Sequence, residues 1–159
     1  MADVRTGFGY DAHRFGGEGP VVLAGVSIEH PVGVIGTSDG DVATHAICDA
    51  LLGAVAAGDL GSFFPSSEPQ WEGVDSLLLL ASSAAVVAEA GYTIGSIDLT
   101  LIVQSVRIAP HRERMRSRLA GAMNIDVSMV SVKATTTDGL GWIGTDAGLA
   151  AQAVATVYS

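Results

Sequence analysis

The sequence predicts an α/β chain, an α+β sandwich in which helices pack on one face of a β-sheet. Two patterns predict it. Runs of β-branched or alternating apolar residues recur along the chain, and between them lie runs with apolar residues three and four apart. Glycine and proline punctuate the boundaries, so the two kinds interleave as separate elements. A length of 159 residues suits one domain, residues 1–159, with its own core. With 48% hydrophobic and 16% charged residues the chain is too apolar for disorder, and the surplus points to surface hidden in an oligomer.

The elements follow in order. "RTGFGYDAHRF" reads as the opening strand, and "GPVVLAGVSIEHP" as a short hairpin broken at Gly25. "GTSDGD" is a loop from which Ser38 or Asp39 caps a helix over "DVATHAICDALLGAVAAG", stopped by Gly58. Ala46, Ile47, Ala50, Leu51, Ala54 and Val55 form its apolar stripe. "DLGSFFPSSEPQWEG" is a proline-punctuated loop, and a second helix runs from about Asp75 to Ala90, ending at Gly91. "SIDLTLIVQS" alternates Ile97, Leu99, Leu101 and Val103 with polar partners and is a strand. Pro110 opens a third helix, "PHRERMRSRLAGAM". "VSMVSVKATTT" is a strand that enters a threonine-rich turn. In the tail "GLAAQAVATVYS" alanine favours helix, but Val154, Thr156, Val157 and Tyr158 tip the reading to strand.

Charge and composition exclude several classes. A net charge of −9 disfavours a nucleic-acid binder. The longest apolar run, "LLLLASSAAVVAEAGY", is broken by serines and a glutamate, so no membrane span is expected. "MADVRTG" has no charged start leading into an apolar run, so no secretory leader is expected. The single cysteine, Cys48, suits a reducing cytoplasm; on the helix stripe beside Ile47 and Leu51 it reads as a small buried hydrophobe.

Two clusters carry chemistry. Asp11 and His13 stand two apart on the first strand and so share a face. His45 lies on the first helix with Asp41 and Asp49 one turn to either side. One carboxylate and two imidazoles make a three-ligand zinc set with an open fourth position, while an ordinary solvated helix face carrying Asp41, His45 and Asp49 is the alternative; the pattern leaves both open. The second cluster, "KATTTDGLGWIG", places three threonines and Asp138 after a strand. Such a turn can hold phosphate oxygens and a hard cation, or be plain turn chemistry. His30 reads as a surface turn residue, and Arg112, Arg114, Arg116 and Arg118 as solvated.

Taken together, "GYDAHRF", "SDGDVATHAICDALLGAVAAGDLGSFFP" and "ATTTDGLGWIG" resemble the 2-C-methyl-D-erythritol 2,4-cyclodiphosphate synthase family of the non-mevalonate isoprenoid pathway, over essentially the whole chain. The resemblance implies a homotrimer, each subunit with helices on a mixed sheet, and active sites between neighbouring subunits. It implies a catalytic Zn2+ on Asp11, His13 and His45, and Mg2+ or Mn2+ on Asp138 bridging the substrate phosphates. The implied substrate is a nucleotide-linked small molecule, 4-diphosphocytidyl-2-C-methyl-D-erythritol 2-phosphate, whose 2-phosphate attacks the β-phosphorus of its own diphosphate with loss of CMP. Thr136 and Thr37 fall at catalytic positions. Asp59, Gly61 and Ser66 fall on the methylerythritol side. Val103, Arg107, Ala109, Ala134 and Thr135 fall along the cytidine pocket. Ser38 and Trp142 complete the implied substrate contacts, which Asp11, His13 and Asp138 share.

Three positions depart from the family pattern. Thr37 stands where members usually have a histidine, Ser66 where they have an aspartate, and Thr145 where an arginine faces the trimer axis. Two other functions compete: a zinc phosphohydrolase that activates water at the open position, and a non-enzymatic isoprenoid-diphosphate-binding trimer. The latter would need a fourth zinc ligand, a part that Cys48 would have to take.

Overall fold

The computed structural model describes residues 3–159, and its order of elements follows the predicted interleaving. Strand β1 runs over Val4–Glu18, β2 over Val21–Leu23, β3 over Val26–Ile28 and β4 over Val32–Val34. Helix α1 (Val42–Ala54), the short α2 (Leu60–Phe63) and α3 (Ser76–Glu89) precede β5 (Thr93–Ile102). Helix α4 (Arg112–Met123), β6 (Val130–Thr135), the short α5 (Gly141–Gly144) and β7 (Gly148–Tyr158) complete the chain. The main sheet has the order β4-β1-β7-β5-β6, and β2 and β3 form a separate hairpin. Only β5 and β6 pair in parallel; the other pairs are antiparallel, so the sheet is mixed.

The helices cover one face. On β7, Leu149, Ala151, Ala153, Ala155 and Val157 are buried against them, as are Ile97, Leu99 and Leu101 of β5. The opposite face leaves Val4, Phe8, Tyr10, Val154 and Tyr158 exposed, in register as Val4 opposite Tyr158 and Phe8 opposite Val154. Helix α1 comes unusually close to β1 at two glycines. A Cβ at Gly7 would strike the Ala50 carbonyl oxygen, and one at Gly9 the Ala46 carbonyl oxygen. The small residues Ala46, Ala50 and Ala54 on α1 and Ala153 and Ala155 opposite the glycines on β7 permit that approach. It carries His45, one residue before Ala46, up to Asp11.

Local chemistry explains where the elements start and stop. Neither Ser38 nor Asp39 caps α1. Asp41 does, accepting from Thr44 N at 3.0 Å, because the Asp39 carboxylate is engaged with Ser76. The helix stops at Ala56, not Gly58: Ala56 takes φ 55° and Ala57 N donates to Leu52 O at 2.9 Å. Asp75 caps α3, and Gly91, at φ 84°, ends it as expected. The segment after α1 is not all loop: Asp59 caps α2, and Pro69–Trp71 forms a 3-10 turn. Residues 127–129 leave the predicted strand for another 3-10 turn, because Asp126 accepts from Ser128 N at 2.8 Å. The tail is strand, paired along its length between β1 and β5.

Candidate active site

Strand β1 presents Asp11 and His13 to the helix-covered face, and α1 delivers His45 across from them. Asp11 Oδ2 lies 2.9 Å from His45 Nδ1 and 3.1 Å from His13 Nε2. One ligand atom from each residue falls within 4.8 Å of the other two. The far nitrogens are also committed. His13 Nδ1 donates to the Ile35 carbonyl at 2.8 Å, and His45 Nε2 lies 2.9 Å from Ser76 Oγ and 3.0 Å from Ser38 Oγ. Asp11 Oδ1 accepts from Ala12 N at 2.9 Å, which fixes the carboxylate plane. A carboxylate oxygen and two imidazoles converging on one point, each held by an outer partner, fit a three-ligand metal site with an open position.

The electrostatics match. Burial acts to raise the Asp11 carboxyl, but the hydrogen bonds to His13 and His45 outweigh it and hold the group at about 2. The hydrogen bond to Asp11 lifts His13 above its ordinary 6.5, against the opposing effect of burial.

The solvated-face alternative fails. Asp41 is wholly buried and accepts from Ala24 N and Gly25 N at 2.8 Å as well as from Thr44, so it ties the β2–β3 hairpin to the start of α1. Burial raises its carboxyl, and the hydrogen bonds from Thr44, Gly25 and Ala24 oppose that rise. Asp49 accepts from Leu60 N at 2.7 Å and anchors α2. Both are structural. Cys48 is buried, its thiol pushed up to about 12 by desolvation, and it is no part of the metal cluster.

His13 and His45 open onto a cleft of about 200 Å³. Thr37, Ser38, Gly61 and Ser66 line it. Asp59 sits at its edge, spent on capping α2 through Ser62 N and Oγ. The apolar wall formed by Leu60, Phe64 and Trp71 was not foreseen; the aromatic residues of "FFP" and "QW" were the available signal. Thr37 O accepts from Gly73 N at 2.9 Å, which pins the loop to the cleft wall.

A second groove, of about 390 Å³, lies along Val103, Ala109, Ala134, Thr135 and Thr136. It brings together most of the predicted cytidine contacts. Arg107 is exposed and outside its wall. Arg112, read from sequence as solvated, lines the groove instead, with its Nε out of solvent and without a partner among the described residues. Asp138, exposed and at φ 56°, donates its N–H to Thr136 Oγ1 at 3.1 Å, and Gly139 N reaches Gln104, which ties the turn to the groove. Trp142 stands on another side, in a depression that reaches His13 from the far face. Thr145 is exposed and closes α5 through bonds to Gly141 O and Trp142 O. His30 is more than a turn residue: it stacks on Phe15 and bonds Ser105 Oγ. Among the described residues of one chain, the cleft and the groove share no lining residue.

A mixed sheet with helices on one face, and a carboxylate–imidazole cluster at the mouth of a cleft, define a class, and the chain belongs to the YgbB family, whose model matches residues 4–158. It is 48% identical, over 100% of its length and 99% of the relative's, to the protein named 2-C-methyl-D-erythritol 2,4-cyclodiphosphate synthase in Thermosynechococcus vestitus. Among solved structures it resembles the bifunctional IspDF of Campylobacter jejuni, with TM-score 0.96 and 35% identity, over 99% of this chain and 43% of that one. It also resembles the CDP complex of IspF from Plasmodium falciparum, with TM-score 0.85 and 31% identity, over 97% and 95% of the two chains.

Proposed function

We propose that this chain converts 4-diphosphocytidyl-2-C-methyl-D-erythritol 2-phosphate to 2-C-methyl-D-erythritol 2,4-cyclodiphosphate and CMP, in isoprenoid precursor synthesis by the non-mevalonate route. The convergence of Asp11, His13 and His45 at the mouth of the cleft carries the reading, together with membership of a family whose full-length relatives bear that name. An oxygen of the 2-phosphate attacks the β-phosphorus, a new P–O–P link forms, and the bond to the α-phosphate breaks with its electrons on CMP. No protein nucleophile is required, so the protein's work is positioning and charge.

Zn2+ on Asp11, His13 and His45, and Mg2+ or Mn2+ on Asp138, would supply Lewis-acid stabilisation of the phosphates when bound. The chain's own groups do the rest. Ser38, Thr37 and Ser66 offer hydroxyls along the cleft, and the apolar wall of Leu60, Phe64 and Trp71 excludes water from the attack. Asp59 and Gly61 take the methylerythritol end. Thr135 and Thr136 hold phosphate oxygens at the end of the groove, where Val103, Ala109 and Ala134 leave backbone groups for the cytosine. The CDP complex of the Plasmodium relative supports a cytidine nucleotide as a ligand.

A homotrimer completes the site, the groove of one subunit facing the cleft of the next. Two observations support it: the apolar sheet face left open at Phe8, Tyr10 and Val154, and the separation of cleft from groove within the chain. One contiguous core supports a single domain over residues 1–159. No helix among the described residues is long and apolar enough to cross a membrane. Incubation with the diphosphocytidyl substrate, zinc and Mg2+, followed by phosphorus NMR, tests the reading. CMP with a cyclic diphosphate is expected; CMP with an uncyclised bisphosphate would mean a hydrolase instead.

A further inference from the structure

The Ser76 hydroxyl touches the metal cluster from α3. Ser76 is the first residue of α3 and wholly buried. Its Oγ lies 2.9 Å from His45 Nε2 and also bonds Asp39 Oδ1, while its N–H donates to Asp39 Oδ2 at 3.0 Å. Asp41 N adds a further donor to Asp39 Oδ1 at 3.2 Å. The direction of this chain follows from counting protons. A serine hydroxyl has one, and a carboxylate can only accept. The Ser76 proton therefore goes to Asp39, and Ser76 Oγ meets His45 as an acceptor. The hydrogen between them must sit on His45 Nε2. Ser38 Oγ, 3.0 Å from the same nitrogen, can rotate to accept and does not set the direction.

We propose that Asp39 and Ser76 form a positioning relay that fixes His45 as its Nε2–H tautomer and so makes Nδ1 its metal-ligating atom. The proposal rests on the reading of Asp11, His13 and His45 as a metal site. Nδ1 then turns its lone pair on Asp11 Oδ2 at 2.9 Å, an arrangement that is attractive only with a cation between them, a proton or a metal ion. His13 reaches the matching state by another route. The Ile35 carbonyl takes its Nδ1–H, leaving Nε2 towards Asp11. One histidine is thus set by main chain, and the other by two side chains from separate loops and helices. Outer partners of this kind typically govern metal affinity by about 10–100-fold.

The test uses the intact metal-free protein and zinc alone. Nitrogen NMR of His45, recorded where the imidazole is neutral, is expected to show the Nε2–H tautomer in the wild type. Asp39→Ala frees the Ser76 proton to turn towards His45, so the two tautomers should mix and zinc should bind ~10–100-fold more weakly in chelator competition. Ser76→Ala leaves Ser38 as the acceptor, and a loss of about tenfold is expected. An Nδ1–H tautomer in the wild type overturns the relay, as does wild-type zinc affinity in both variants. If either variant fails to fold, the wild-type tautomer decides alone. A wild type that binds no zinc overturns the metal reading itself and takes the relay's ligating role with it.

Discussion

At the scale of single residues, His13 and Thr37 make opposite demands on the same cleft. The His13 imidazole holds its proton more tightly than an ordinary histidine, because Asp11 is beside it. A proton and zinc compete for that nitrogen, so zinc affinity should fall with falling pH, starting above 6.5 rather than below it. Chelator competition across the neutral range checks this, and an onset below the ordinary histidine value would count against the Asp11–His13 coupling. Thr37 poses the second test. It lines the cleft, where the family resemblance of the sequence implies a histidine, and it cannot carry charge. One preorganised donor contributes ~2.7–4 kcal/mol of transition-state stabilisation. Thr37→His is therefore expected to raise kcat, recovering part of that amount. An unchanged or lower kcat in steady-state kinetics would show that Ser38 or a backbone N–H already serves.

At the scale of elements, the site depends on how closely α1 approaches β1. Gly9 allows the Ala46 carbonyl to pack where a Cβ would otherwise stand, and Gly7 does the same for Ala50. Gly9→Ala forces the helix away from the strand. Overpacking of this kind costs ~1–3 kcal/mol, and here it also separates His45 from Asp11. Lower stability in chemical denaturation and weaker zinc binding should appear together; a variant with both properties intact would show that α1 can shift without cost. The start of the same helix shows why capping could not be read locally. Ser38, Asp39 and Asp41 all have the right chemistry, and the choice fell to Asp41 because Asp39 turns to Ser76 and Ser38 to His45.

At the scale of the whole molecule, the open sheet face and the divided site make the same demand. Phe8 and Tyr10 are 61% and 48% exposed on the face turned away from α1. If three subunits meet there, Phe8→Asp should yield smaller species in sedimentation, with cyclase activity lost and zinc still bound, since the cluster lies on the other face. A wild type that sediments as a monomer, or a variant that keeps both its assembly and its activity, would rule out this face as the subunit contact.

The sequence by itself determined the elements and the chemistry of its short motifs. Strand alternation, helical spacing and turn residues act between neighbours, so β1, α3 and β7 are legible in the sequence, and the two-residue spacing of Asp11 and His13 puts them on one face. Tertiary structure alone decided what meets across distance. His45 joins Asp11 from 34 residues away and Ser76 joins His45 from 31, and neither pairing leaves a trace in local spacing. The burial of Asp41, the apolar wall at Phe64 and Trp71, and the turning of Arg112 into the groove were likewise settled by packing. Local propensity fixes which backbone shape a segment takes, whereas burial and hydrogen-bond satisfaction are set only when distant segments close on one another.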